Sequence, residues 1–570
     1  MPDRNADLIT ALQGAVGAGH VLTAEAATRR FRTGYRFGTG KVLAVVRPGS
    51  LVEQWRVLQA CHQAGVIIIM QASNTGLTGG STPDGDEYDR PIVLISTTRM
   101  AKIHLLEGGR QVVCLPGATL FQLEKTLRPL GREPHSVIGS SCLGASVLGG
   151  ISNNSGGALI HRGPAFTQLA IYARVNEAGA IELVNHIGLR LGNDPEAMLT
   201  RLERGDFTAD EIEHPAGRAA SDPDYARHVR EIDAATPARF NADPRRLCEA
   251  SGSAGKLMIF AVRLDSFAAE KETAVFYIGS NDAAALTRIR RDILGGFANL
   301  PVAGEYIHRT AFDIAALYGK DTVIAIEKLG TDRLPALFAA KAKFDAFASN
   351  FSFLPKDLSD RLMQAASQLF PQHLPARMRD YRDRFEHHLL LKMSGPGIAE
   401  ARTYLASLFP SAGGDFFECT PEEGAKAFLH RFAVAGAAIR YRAIHRDTVS
   451  DIVALDVALR RNDQEWVERL PAEMDGKLLH KLYYGHFFCH VFHQDYVVKA
   501  GHDPIAIEHE MWGLLDGRGA EYPAEHNVGH LYPAKPALAA HYQALDPCNC
   551  FNPGIGQTSK LYCWGEEEAA

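Results

Sequence analysis

Long apolar runs are missing from this 570-residue chain. No uninterrupted stretch approaches the ~20 residues that a bilayer-spanning helix requires. Met1 to Asp7 has neither the basic n-region nor the apolar h-region of a secretory signal. Together these absences predict a cytosolic protein, or one held to a membrane by its surface. Paired cysteines are scarce too: the nine cysteines include no C-x-x-C pair, and only Cys548 and Cys550 lie close together. That excludes a zinc-finger or disulfide framework and predicts reduced thiols. No excess of one charge exists either, because 60 basic against 66 acidic residues give a net −6, which argues against a general nucleic-acid binder. The chain also lacks G-x-G-x-x-G between strand and helix and G-x-x-x-x-G-K-[ST], so a Rossmann site for NAD and a P-loop for ATP lose ground.

What the chain has instead is two loops of glycine and small polar residues. Gly139 to Gly157 contains six glycines among serines and asparagines, and Gln71 to Ser81 has the same character behind the strand-like run Gly65 to Met70. Backbone amides not covered by side chains donate readily to a pyrophosphate, and glycine permits the positive φ angles of such a cradle. Two loops of this kind point to one extended, phosphate-bearing cofactor. The bland alternative is a pair of flexible glycine turns.

The length exceeds a single ordinary core and implies two or more domains. Hydrophobic residues at 46% and charged residues at 22% fit a folded soluble chain. Lys41 to Arg47 predicts a strand, Pro48 breaks it, and Ser50 caps an amphipathic helix from Leu51 to Gln63 that Gly65 ends. Strands follow at Gly65 to Met70, Ile92 to Ser96 and Gln111 to Leu115, with a helix from Thr119 to Leu130. This alternation places the first glycine loop after a central strand of an α+β or α/β domain. Leu191 to Arg245 is an excursion rich in charge, alanine and proline, after which strands return at Lys256 to Arg263 and Thr273 to Ile278. From about 310 to 390, aromatic residues such as Phe344, Phe347 and Phe351 alternate with Lys341, Lys356, Arg377, Arg382 and Arg384. Such interleaving suits a surface facing anionic lipid. Taken alone it suits a solvated helical face better, because Asp345, Asp357, Asp360, Asp380 and Asp383 nearly cancel the charge.

Histidines concentrate near the C-terminus. Alternation across 486 to 496 predicts a strand, so His486 and His493, an odd number apart, meet at one metal only if the chain bends between them. Two histidines and a carboxylate suit a divalent cation, and buried histidines hydrogen-bonded in an aromatic core are the alternative. His526, between Glu525 and a glycine-containing turn, is the better candidate for catalysis, since imidazole accepts a proton near neutral pH. Arg431 and Arg440 sit among small apolar residues, where a guanidinium grips a carboxylate bidentately or forms a structural ion pair.

These strings, in this order, resemble one family along nearly the whole chain: Asn74 to Pro83, Gly131 to Ser141, Gly149 to Gly157, Lys426 to Arg431, Tyr522 to Leu531 and Asn552 to Gly556. The chain is similar to the respiratory, quinone-dependent D-lactate dehydrogenases within the vanillyl-alcohol-oxidase-type (PCMH-type) flavoproteins. The resemblance implies an α+β fold with a PCMH-type two-subdomain FAD-binding domain, an α+β cap domain and a membrane-docking insertion. Implied boundaries are 1–265 for the FAD domain, 266–309, 385–424 and 449–515 for the cap, 310–384 for the insertion, 425–448 for a membrane and substrate-arginine segment, and 516–570 for the return to the FAD domain. Noncovalent FAD is implied at Ala72, Ser73, Asn74, Thr75, Gly76, Gly80, Ser81, Gly139, Ser146, Gly156 and Ile259.

The family pattern further implies a metal at His486, His493 and Glu525, with His526 as base and Arg431, helped by Arg440, gripping the substrate carboxylate. This chain departs from it, carrying Phe-Phe-Cys-His-Val-Phe between the two ligand histidines and Asn527 where relatives have glycine. The implied activity is oxidation of D-lactate to pyruvate, with electrons passing through FAD to ubiquinone or menaquinone. The implied partners are D-lactate, the quinone and an anionic membrane lipid surface, with no nucleic acid, and the implied place is the cytoplasmic face of the inner membrane, as a peripheral protein. The resemblance thereby turns the 310 to 390 segment into the expected anchor. Peroxide production would mark an oxidase instead, failure to sediment with membranes a soluble 2-hydroxyacid dehydrogenase, and absence of bleaching with any hydroxy acid a noncatalytic flavin-binding adaptor.

Overall fold

The computed structural model describes residues 4–135, 144–330, 340–341, 344–345, 347–348, 351, 357–409 and 413–565. Four strands open the fold: β1 (Val21–Leu22), β2 (Ala44–Val46), β3 (Ile67–Gln71) and β4 (Ile92–Ser96), in the order β1-β2-β4-β3. Strand β4 pairs in parallel with both β2 and β3, and apolar side chains are buried on both faces, as a parallel sheet requires. Between β2 and β3 runs α1 (Leu51–Gln63), whose N-terminus is capped by Ser50 accepting the Glu53 N–H at 3.1 Å. Gly65, at φ 66°, then turns the chain into β3.

A five-stranded antiparallel sheet follows, made of β5 (Ile103–Leu106), β6 (Gln111–Cys114), β8 (Ala170–Val175), β9 (Ile181–Asn185) and β10 (Met258–Asp265), in the order β5-β6-β10-β8-β9. Two short strands, β7 (Arg132–Glu133) and β11 (Phe267–Ala268), form a separate ribbon. The second glycine loop is described from Gly144 onward and enters α2 (Val147–Ser152). The first part of that loop, including Gly139, lies outside the described residues.

The largest sheet has seven antiparallel strands: β12 (Thr273–Ser280), β13 (Ala303–His308), β14 (His387–Ser394), β15 (Gly414–Glu418), β16 (Val449–Ala458), β17 (Leu478–His486) and β18 (Val491–Lys499). Their order is β15-β12-β14-β13-β17-β18-β16. Against it pack α3 (Arg309–Tyr318), α6 (Pro421–Phe432) and α7 (Val434–Ile444), and α4 (Lys320–Leu329) and α5 (Leu358–Ser367) pack on those helices. Among the described residues no helix is long and apolar enough to cross a membrane.

The single strand expected across 486 to 496 is two strands. Phe487–Cys489 forms one 3₁₀ turn and His490 takes a left-handed φ of 57°, so β17 and β18 fold back as a hairpin that pairs Tyr484 with His493. The chain end returns to the first sheet, where Ile68 N–H donates to the Cys550 carbonyl at 3.0 Å and Asn552 N–H to the Ile68 carbonyl at 2.9 Å. The Asn552 side chain also donates to the carbonyls of Gly80 and Ala254, tying the tail to the first glycine loop.

Gly485 lies in the hairpin with no room for a side chain, since a Cβ there would run into the Val491 carbonyl and stand 2.7 Å from Phe492 Cα. Gly485→Ala is expected to destabilise the protein by about 1–3 kcal/mol through overpacking. Gly513→Ala, at a helical site with open space, should be neutral or stabilising by up to about 1 kcal/mol. Thermal unfolding of both variants checks this, and equal midpoints would contradict it.

Candidate active site

Register puts the chemistry on one face. Residues paired directly across antiparallel strands share a face, as do residues two apart on one strand. Glu305 on β13 pairs with His486, Tyr484 with His493, and His493 with Asp456 on β16. Five polar residues from four strands thus converge on one side of the seven-stranded sheet. Arg431, in the last turn of α6, joins them with its guanidinium 4.6 Å over the Tyr484 ring.

The tail from Tyr522 to His530 lies over this face. The Asp456 carboxylate accepts the backbone N–H of Glu525 at 2.6 Å and of His526 at 2.7 Å. His526 stacks on His493 with centroids 5.5 Å apart. His486 Nε2 is 3.5 Å from His493 Nε2 and 3.3 Å from Glu525 Oε2, while its Nδ1 is 2.7 Å from Glu305 Oε1. Donor atoms of His486, His493 and Glu525 all lie within 4.8 Å of one another. The bend on which shared ligation depended is therefore present, and the three donors form a two-histidine, one-carboxylate set that fits a divalent cation.

Charge in this buried place is mutually compensated. Burial disfavours a proton on His486, but the Glu305 and Glu525 carboxylates outweigh it and hold this imidazole up at about 9. Burial and the neighbouring His486 and His526 push His493 well below the ordinary histidine range, leaving it neutral and suited to ligation. Burial also works against a charged Glu525, yet Arg239 and His486 keep its carboxyl well below the usual range. Arg239 is almost fully buried and pairs with Glu525 while also donating to the carbonyls of Gly157 and Leu159. Burial raises Asp456, although His526 and the two tail amides favour its charged form.

Arg431 and Arg440 part company here. Arg431 Nη2 stands 2.9 Å from Glu305 Oε2 without hydrogen-bond geometry, so its Nε and Nη2 remain free of hydrogen bonds and available to a ligand carboxylate. Arg440 is already matched by Asp321 and, at 3.4 Å, by Asp360. It is thus held in a structural ion pair.

A cavity of about 1830 Å³ joins this cluster to both glycine loops. Every described residue among the expected cofactor contacts lines it: Ala72, Ser73, Asn74, Thr75, Gly76, Gly80, Ser81, Ser146, Gly156 and Ile259. Asn74 takes a φ of 52° and donates from its side chain to the Thr33 carbonyl at 2.9 Å, fixing the first loop. Some glycines serve the tail as well as a cofactor. A Cβ on Gly156 would fall on the Glu525 carboxyl, and one on Gly76 or Gly80 on the Asn527 amide. Asn527 Oδ1 is left as a buried acceptor without a protein partner. A side-chain-poor cradle with such an orphaned polar atom fits FAD.

Sequence reasoning missed Glu305, Asp456 and Arg239. The first two carried a signal, since Glu305 is the one acid of its strand and Asp456 stands inside the apolar run from Ile452 to Ala458, where an unpaired charge is rarely buried. Arg239 lies in the excursion and carried none.

Comparisons with known proteins agree with this geometry. Residues 275–564 match the family described as D-lactate dehydrogenase, membrane binding, and residues 42–182 match the FAD binding domain. The chain is 58% identical over 564 residues to a quinone-dependent D-lactate dehydrogenase of Escherichia coli, with 99% of each chain covered. To the protein of that name from Haemophilus influenzae it is 57% identical over 560 residues, covering 98% of this chain and 99% of the relative. The solved structure of p-cresol methylhydroxylase with substrate bound aligns over 98% of both chains with a TM-score of 0.56 and 11% identity, which shows a shared PCMH-type fold.

The His486 pairing has a pH signature. An unfolded histidine titrates near ~6.5, so holding this one at about 9 contributes stability that is full below the unfolded value and is lost as pH rises through the folded value. In chelator-treated holoenzyme, Glu305→Gln should flatten the fall in thermal midpoint between those two pH values relative to wild type. Parallel curves for the two proteins would contradict the pairing.

Proposed function

The chain belongs to the quinone-dependent D-lactate dehydrogenase family, and from that premise we propose that it oxidises D-lactate to pyruvate with FAD as hydride acceptor and a membrane quinone as final acceptor. The observation that carries the reading is the single cavity in which a carboxylate-binding arginine, an imidazole base and both glycine loops face one another. FAD, when bound noncovalently in the cradle, accepts the hydride and passes two electrons on to the quinone.

The residues supply the rest. Arg431 grips the lactate carboxylate through the donors that Glu305 leaves free, which orients the Cα hydrogen. Orientation of this kind lowers a barrier by as much as about 7–11 kcal/mol. His526 takes the hydroxyl proton as the Cα–H bond breaks. It is half-buried and faces the cavity, and Asp456 fixes its backbone while the carboxylate stands 3.6 Å from its Nδ1. Glu525 and His486 complete the wall. A divalent cation held by His486, His493 and Glu525 would polarise the hydroxyl oxygen and lower its pKa.

Membrane attachment rests on apolar contact more than on charge. Of the sixteen large apolar side chains exposed among the described residues, ten lie between Leu317 and Ile439. Several basic residues of the same region are matched to acids instead: Lys341 to Asp360, Arg377 to Glu423, Arg382 to Asp313 and Arg384 to Asp380. We place this surface on the cytoplasmic leaflet of the inner membrane, and vesicle binding should survive high salt.

His526→Ala should retain FAD while losing about two or more decades of the D-lactate-driven flavin reduction rate. Undiminished reduction in anaerobic stopped-flow would reject His526 as the base. Arg431→Met should raise the KM for D-lactate and lower kcat together. Loading Mn²⁺ or Zn²⁺ into chelator-treated holoenzyme at neutral pH should release about one proton per ion, the His486 proton, with affinity rising towards pH 9. Calorimetry in buffers of different ionisation enthalpy measures this, and an absence of uptake would show that the triad works as a proton-paired network.

A further inference from the structure

The cavity is larger than its cofactor end needs. Sites for one cofactor or small ligand are typically about 300–1,000 Å³, whereas this space is about 1830 Å³ and continues past Arg431 between α4, α5, α6 and α7. The continuation is apolar where it meets solvent. Phe432, Ala435, Gly436 and Ile439 line it at helical spacing and are all exposed, while Val434 and Ala437 on the other side of α7 are buried in the core. A helix that is apolar on both faces expects cover on both. Among the described residues, one face of α7 is left open to the cavity.

The rim has the same character. Phe344, Met363, Phe370, Phe432 and Ile439 line the cavity and are also exposed, and they belong to the region where exposed apolar side chains concentrate. The arm thus leads from that surface to the active-site cluster without a break. Its wall carries polar groups as well: Arg440 and Lys341 line it, held by Asp321 and Asp360, and Asp321 Oδ2 is buried without a partner.

We propose that this arm is the binding channel for the quinone, with the isoprenoid tail along the α6–α7 stripe and the carbonyl-bearing ring towards the active-site cluster. A molecule with an apolar tail and a planar ring carrying two acceptor oxygens matches a channel that is apolar at its mouth and ends against the polar side chains of the active-site cluster. Entry from the bilayer side keeps that apolar tail out of water. The assignment rests on the function proposed above and adds to it the place where the acceptor binds.

Gly436 offers a clean test, because nothing lies within 4 Å of a Cβ built there and its helix gains propensity from any larger unbranched residue. In the full-length holoenzyme, Gly436→Phe should block the arm and raise the KM for a short-chain ubiquinone by about tenfold or more. D-lactate bleaching of the flavin should persist at the wild-type rate, and Gly436→Ala should behave like wild type in both half-reactions. An azido-ubiquinone photoprobe should label peptides from α6 and α7, less in Gly436→Phe. Labelling elsewhere, or an unchanged quinone KM in Gly436→Phe, would overturn the assignment. So would labelling of these helices by a photoactivatable phospholipid with no quinone labelling, which would make the arm a lipid seat. Failure of D-lactate to bleach wild-type flavin would instead sink the proposed function, so the two failures are distinguishable.

Discussion

Two hydrogen bonds into one buried carboxylate hold the site together. Asp456, in the middle of β16, accepts the main-chain N–H groups of Glu525 and His526, residues that no strand ladder satisfies. A charged acceptor strengthens such bonds, and removing it would leave two buried donors unpaired. The next residues of the same tail rest on the first glycine loop, where Thr78 Oγ1 donates to the Asn527 carbonyl at 2.9 Å and His530 N–H to the Thr78 carbonyl at 2.8 Å. One short segment therefore sets His526 against the large sheet on one side and against the first glycine loop on the other.

Around that segment the acids and cations come in matched sets. Glu305 and Glu525 face Arg239, Arg431 and a protonated His486, and Asp456 accepts the two tail amides beside His526, so no carboxylate here stands alone, which the low polarity of the interior would penalise heavily. The arrangement also bears on chemistry. Arg431 is placed by Glu305 without using all its donors, and His493 is kept neutral beside a charged neighbour.

Much of the first sheet was legible in the sequence, because its signals are local. Ser50 before an amphipathic run and Gly65 after it bounded the helix Leu51–Gln63, and a block of buried aliphatics marked β3. The hairpin at 486 to 493 was not legible: its reversal at Phe487–Cys489 uses neither glycine, proline, asparagine nor aspartate, the residues by which turns are recognised. Glu305 and Asp456 were hidden for a different reason. Their partners lie 181 and 70 residues away, and only strand register brings them together. Arg431 and Arg440 looked alike in sequence, and packing separated them by placing Asp321 and Asp360 against Arg440 alone. Even the glycine loops were only half understood, since Gly76, Gly80 and Gly156 must be small to admit Asn527 and Glu525.

The central claim is that one cavity brings a hydroxy-acid carboxylate, a base and a flavin together. Its most direct test is anaerobic addition of D-lactate and of L-lactate to the purified yellow protein while the oxidised flavin band is watched. The account expects D-lactate to bleach the band within turnover time and L-lactate to do so far more slowly. A band that D-lactate leaves untouched, in protein shown to hold FAD, would contradict it.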